Sequence, residues 1–133
     1  MRYHGRRLGL HPKDENTAWE CDSYYDFHED HITNFVNVAW KGADPKLYED
    51  SIKAIVDEIA RRLKHGKKYL CGDQITTADF VAAHAFFSWV YNENYGRPDV
   101  TEKGKAAITA QPAVAAYCEV MRKELAPYLA TKT

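Results

Sequence analysis

The run Cys71-Gly72-Asp73-Gln74-Ile75-Thr76-Thr77-Ala78-Asp79-Phe80 fixes a helix start in the middle of the chain. Thr76 and Asp79 stand at N-cap and N3, from which a hydroxyl and a carboxylate each satisfy an orphan backbone N–H. Ile75 before the cap and Phe80 inside the first turn are placed for a hydrophobic staple, and Gly72-Asp73 supplies the turn that feeds it. The residues that follow, Ala78, Phe80, Val81, Ala82, Ala83, Ala85, Phe86 and Phe87, leave the helix Thr77 to about Val90 without a polar face. Such a helix must be enclosed, and its alanines let neighbouring helices approach closely. The rest of the chain is therefore read for segments able to cover it.

Helical spacing supplies them. Asp14 is placed to cap a long helix from about Glu15 to Trp40, whose large side chains Trp19, Tyr24, Tyr25, Phe27, Ile32, Phe35, Val36 and Val38 cover more than one stripe. Asp44 caps and Pro45 opens a second helix, with Leu47, Tyr48, Ile52, Ile55, Val56, Ile59 and Leu63 on one face and Gly66 as its stop. Residues Tyr91 to Pro98 read as a connector, and Thr101 to Thr109 as a short, weakly amphipathic helix. Pro112 opens the last clear helix, lined by Val114, Tyr117, Cys118, Met121 and Leu125; Pro127 ends or kinks it, and Tyr128 and Leu129 are placed to pack back. Met1 to Gly5 reads as a helical turn followed by a bend at Gly9. No strand-like alternation survives, so the fold class is all-α throughout.

Composition then excludes several function classes. With 133 residues, 45% hydrophobic and 28% charged, the chain has the makings of one globular core. A formal charge of -1 with interspersed signs leaves no broad basic field for nucleic acid, although His4, Arg6, Arg7, His11 and Lys13 make the N-terminus locally positive. No uncharged run approaches the roughly 18 residues of a membrane span. Cys21, Cys71 and Cys118 have no metal spacing and leave an odd thiol in any pairing, which fits the cytoplasm or another reducing compartment.

Four stretches together resemble a known family. Arg2-Tyr3-His4-Gly5-Arg6-Arg7-Leu8-Gly9-Leu10 is similar to the end of the last helix of a thioredoxin-like domain and the linker after it. Residues 14–40 are similar to the first helix of the C-terminal all-helical domain of cytosolic glutathione transferases. Tyr69 through Phe80 resemble that domain's turn and buried capping box, and Gln111 through Leu129 its closing helix and tail. The nearest style is that of the sigma, alpha and mu branches. The resemblance implies a remnant of the thioredoxin-like domain and linker over 1–13 and a glutathione-transferase C-terminal-like helical bundle over 14–133. It also implies that the glutathione-binding, thiol-activating part of the family lies outside these residues, so the chain alone is expected to be catalytically inactive.

Carried over residue by residue, Asp22 falls where several branches place an aspartate that reaches the amine of glutathione bound to the neighbouring subunit; the other reading is a solvated helix acid. His28 and Ile32 fall near positions lining the family's hydrophobic acceptor pocket, or else belong to the core. Asp79 matches the family's capping acid and, with Thr76, is expected to serve folding rather than chemistry. Asp22, Asp26, Glu29 and Asp30 adjoin on one helix, but carboxylates on one rigid helix rarely converge on a hard cation, so a solvated face is the expectation. His28 and His31 lack a third ligand at an identifiable spacing, and no metal is expected. Cys21 and Cys118 read as small apolar residues, Cys71 as the more exposed thiol.

Two functions follow. In the first, the domain contributes acceptor-pocket and subunit contacts, in a homodimer, to a protein whose intact relatives use glutathione as co-substrate against small electrophiles. In the second, it is a structural or adaptor subunit of a larger assembly, anchored by a surplus of aromatic side chains that includes nine tyrosines and three tryptophans.

Overall fold

The computed structural model describes residues 2–131. Met1, the first residue of the expected N-terminal turn, and 132–133, the end of the polar tail, lie outside the described residues. Among the described residues seven α-helices follow one another: α1 (Arg2–Arg7), α2 (Glu15–Trp40), α3 (Lys46–Arg62), α4 (Thr77–His84), α5 (Pro98–Thr109), α6 (Pro112–Glu124) and α7 (Ala126–Thr131). There is no named strand among the described residues; a single bridge joins Tyr69 and Gly72 across the turn before α4.

The long helix begins where its cap places it. The Asp14 carboxylate accepts the Thr17 N–H at 3.0 Å and the Thr17 hydroxyl at 2.9 Å. Tyr24, Phe35 and Val38 of α2 are buried against α3 and α4, whereas Trp19 is 70% exposed and lies outside the core. Pro45 stands one position before α3, while Asp44 still accepts the Lys46 N–H at 2.9 Å. Past α3 a 3-10 turn, Leu63–His65, runs into Gly66, whose φ of 75° is a backbone state open to glycine.

α4 lies at the centre, in contact with α2 and α6. Ala78, Val81, Ala82, Ala83 and, beyond the helix, Ala85, Phe86 and Trp89 are all buried. Enclosing one large apolar side chain such as Phe86 stabilises the fold by about 1.5–3 kcal/mol, so this stretch dominates the core.

The expected continuous helix to Val90 changes its winding. From Ala85 to Val90 the backbone is a π-helix, closed by the Tyr91 N–H donating to the Phe86 carbonyl at 2.7 Å. The wider turn admits Phe86, Phe87 and Trp89 in close succession, and the Tyr48 hydroxyl takes up the Trp89 carbonyl at 3.0 Å. Opposite it, Gly104 of α5 is a packing residue: a Cβ there would meet the Tyr48 hydroxyl oxygen at 3.0 Å and both Val90 methyls at 3.2 Å.

Two boundaries depart from the sequence reading. α5 begins at Pro98, not Thr101, because proline at the first helical position is compatible with a helix start. Pro127 does not end the helical path: α6 stops at Glu124, and α7 restarts at Ala126 with Pro127 in its first turn, where a missing N–H costs nothing. Leu129 packs back half-buried, whereas Tyr128 remains 59% exposed.

Candidate functional site

The capping box is present and Asp79 is its hub. Its carboxylate accepts the Thr76 N–H at 2.8 Å, the Leu70 N–H at 3.0 Å and the Tyr117 hydroxyl at 2.7 Å. It is fully buried, and burial raises its pKa despite the bonds that favour the charged form. One side chain thus ties the turn before α4, the first turn of α4 and α6 together. The Thr76 hydroxyl is less engaged, 3.4 Å from the same carboxylate.

One helical stretch further on, a second buried polar group behaves differently. His28 of α2 is 1% exposed, and its Nε2 lies 3.3 Å from Nδ1 of His84, the last residue of α4. The Trp89 indole N–H, a donor only, reaches His84 Nε2 at 3.3 Å. That contact leaves the neutral His84 with its proton on Nδ1, which donates to His28 Nε2. His28 then carries its proton on Nδ1, and this buried atom has no hydrogen-bond partner. Burial, reinforced by His84 and His31, lowers the His28 pKa to about 3, so the imidazole is neutral at ordinary pH.

His84 also forms part of the rim of a cavity of about 360 Å³ between α4, its π continuation and α7. Phe80, Ala83, Phe87, Leu125 and Leu129 supply apolar walls, and Ser88 and Tyr128 complete it. Such a space accepts a small apolar molecule, with His84 as a polar group at one edge. Of the expected pocket residues, His28 lies one hydrogen bond behind this cavity and not on its wall, because its side of α2 faces the core. Ile32, a turn further along α2, is half-buried against the core and is not a wall residue either. Nothing in the spacing of Phe80, Phe87 and Leu129 distinguished them from core, since the wall forms only where α7 folds back.

Asp22 lies elsewhere, in a groove of about 370 Å³ with Arg2, Tyr3, Tyr25, Asp26 and Thr77. The Arg2 guanidinium donates to its carboxylate at 2.8 Å, so an incoming ammonium group must share or displace that partner. Asp26 adds a second carboxylate to the groove, giving it the charge to receive a cation. Asp26, Glu29 and Asp30 are exposed. Among the described residues no three His, Cys, Asp or Glu side chains converge as a metal site.

Six of the phenols are poor candidates for activating a thiol. Burial raises the pKa of Tyr24, Tyr48, Tyr91, Tyr95 and Tyr117, and a hydrogen bond with Glu124 raises that of Tyr69. Each of these phenolates is harder to form than in water. Burial pushes the Cys118 thiol up to about 11, away from the reactive thiolate form. Among the described residues no helix is long and apolar enough to cross a membrane.

An all-helical domain built round a buried capping box, with an apolar cavity beside its central helix, is the class these features define. The family model described as "Glutathione S-transferase, C-terminal domain" matches residues 25–131, and the chain belongs to that family. Comparison with curated proteins and with solved structures returned no match.

Proposed function

We propose that this domain supplies the apolar wall of an acceptor pocket, together with subunit contacts, to a glutathione-transferase-type protein acting on small electrophiles in the cytoplasm or another reducing compartment. The observation that carries this reading is the cavity of about 360 Å³ beside α4, apolar on most sides and polar at His84. Glutathione belongs to the reading as the co-substrate of intact relatives, with the Asp22 and Asp26 carboxylates offered to its ammonium group. On residues 1–133 alone, conjugation of glutathione to 1-chloro-2,4-dinitrobenzene is expected to stay at the uncatalysed rate, since the phenols with shifted pKa all shift upward. Turnover at transferase level would overturn that part.

The pocket itself is tested by titrating the same electrophile while following tryptophan fluorescence, because Trp89 is bonded to His84 at the rim. Saturable quenching is expected, weakened about tenfold, or about 1.4 kcal/mol, by Leu129→Arg. Quenching indifferent to that substitution would refute the assignment.

A second reading, the adaptor or assembly subunit, is favoured by a different observation. Leu8, Trp19 and Trp40 are each about 70% exposed, an unusual amount of bare aromatic and aliphatic surface. Light scattering coupled to size exclusion separates the two. A homodimer supports the first reading, and recovery only in a stoichiometric complex with another protein supports the second.

A further inference from the structure

The bend between α1 and α2 is clamped to the body of the domain. Gly9, at a φ of 71°, turns the chain back over the end of α1, where the Gly5 carbonyl accepts both the Leu10 N–H at 2.7 Å and the His11 N–H at 3.2 Å. The Leu10 carbonyl in turn accepts the Thr77 N–H at 3.1 Å, and a Cβ on Gly5 would come within 2.5 Å of the Thr77 methyl. Pro12 stiffens the segment further. Its side chains therefore stand at fixed places beside the first turn of α4.

Those side chains wall a groove of about 640 Å³, in which Arg6, His11, Lys13, Glu15 and Gln74 meet. His11 is the unusual member. It is only 8% exposed, and its Nδ1 is buried without a hydrogen-bond partner. Nε2 is not closed off in this way and is the ring nitrogen left for the groove. A stranded N–H is a rarer fault than a stranded acceptor, so the neutral ring keeps its proton on Nε2 and offers it there as a donor.

The cations around it are uncommitted. Among the described residues, the Arg6 and Lys13 side chains have neither a carboxylate partner nor a hydrogen bond. The acids nearby do not neutralise both. Asp14 is occupied in capping Thr17, Asp73 faces Lys67 at 3.6 Å, and Glu15 is the one acid on the groove wall.

We propose that this groove binds a small organic phosphate of the sugar-phosphate class. A guanidinium, an ammonium and an imidazole N–H supply donors of three kinds, matching a phosphate monoester's three terminal oxygens and its charge of about −1.5 to −2. A carboxylate brings two oxygens and a single charge, and leaves one of these donors unused. The groove is also larger than a phosphate group, and Glu15 and Gln74 are suited to the hydroxyls of an attached body, the first as acceptor and the second as both donor and acceptor. The site shares no residue with the apolar cavity at His84 or the groove at Asp22, so it stands apart from the acceptor-pocket reading.

The test titrates glucose 6-phosphate into the 133-residue chain and follows the His11 ring nitrogens and the backbone amides by NMR. Saturable binding that displaces the His11 Nε2 signal is expected, with glucose inert and both gluconate and inorganic phosphate weaker. Arg6 and Lys13 are exposed, so Arg6→Gln and Lys13→Gln are expected to keep the parent's urea midpoint while each weakens binding about tenfold. Glu15→Gln is expected to tighten it. Arg7→Gln removes a charge of the same basic segment outside the groove and is expected to change affinity less than about twofold. Equal losses from Arg7→Gln and Lys13→Gln would reduce the site to a diffuse positive field and overturn the proposal. So would gluconate or inorganic phosphate binding as tightly as the sugar phosphate, a stationary His11 signal, or no saturable change in the unsubstituted chain.

Discussion

Asp79 and His28 are both buried titratable side chains packed at the central helix, yet they are satisfied in opposite ways. Asp79 receives protons from Leu70, Thr76 and Tyr117, three partners from three parts of the chain. His28 receives one from His84 and has nothing to take its own Nδ1 proton. The contrast separates a folding device from a compromise. A carboxylate buried with a full set of donors holds a unique geometry, and removing it strands every donor. An imidazole buried with half its partners is tolerated because it stays neutral, and it leaves its neighbour His84 at the edge of an apolar cavity.

The largest effect is expected at the satisfied site. Asp79→Ala leaves two backbone N–H groups and one hydroxyl buried without an acceptor. Counting about 1–3 kcal/mol per stranded group, and less than their sum because they relax together, a loss of about 4 kcal/mol is expected in urea denaturation. Asp79→Asn keeps one oxygen for Leu70 and Tyr117 and is expected to cost about half as much. If the alanine variant loses under about 1 kcal/mol, Asp79 is not the hub and the contrast with His28 fails.

Acid titration sharpens the comparison next, since the two groups have opposite signs. The His28 pKa is lowered from 6.5 to about 3 on folding, so its contribution is present above pH 6.5 and is lost as pH falls through that window, by at most about 1.4 kcal/mol per pH unit. The Asp79 pKa is raised above its ordinary 3.8, so its contribution is fully present below that value and lost as pH rises through the folded pKa. Between pH 6.5 and 5 the histidine governs, with His31, also lowered by burial, acting in the same direction. His28→Leu is expected to change stability at pH 7 by less than about 1 kcal/mol, the lost bond to His84 being offset by removal of a stranded N–H. It should also flatten the decline measured by denaturation at pH 5 against pH 7. An unchanged decline would assign the acid sensitivity to other groups.

The two sites also differ in how far they could be read from sequence. Thr76 and Asp79 are three residues apart, and a cap is a local device whose partners lie within one turn, so spacing alone exposes it. The Tyr117 bond to Asp79 lies outside that reach, though Tyr117 was already placed on the inner side of its helix. The His28–His84–Trp89 chain joins α2 to α4 and its π continuation, and neither the π turn nor a tautomer has a spacing signature. The same holds for the apolar cavity, which depends on α7 resuming through Pro127. Helix starts and stops at Asp14, Gly66 and Pro112 were legible because one residue decides each. Which faces of α2 meet the core was not, as Trp19 shows by remaining in solvent.

Within the capping box the comparison predicts a further asymmetry. The Thr76 hydroxyl lies 3.4 Å from Asp79, a long contact, while the strong bonds come from backbone to the carboxylate. Thr76→Ala is accordingly expected to cost about 1 kcal/mol or less, near the lower end for N-cap threonines and well below Asp79→Ala. Equal losses from the two substitutions would mean that the hydroxyl, not the carboxylate, organises the turn.

The smallest effect belongs to the carboxylate that carries the functional expectation. Asp22 is paired with Arg2 at 2.8 Å, but the two side chains keep 32% and 53% of their exposure. Water and salt screen such a pair, so it contributes little to stability. Asp22→Asn should therefore leave the urea midpoint almost unmoved. If its role is to receive the ammonium group of glutathione, the same substitution must weaken glutathione binding, a loss visible by calorimetry at low salt and smaller at high salt. Stability lost without binding lost would turn Asp22 into a second, weaker Asp79; binding lost without stability lost is the outcome its exposure predicts.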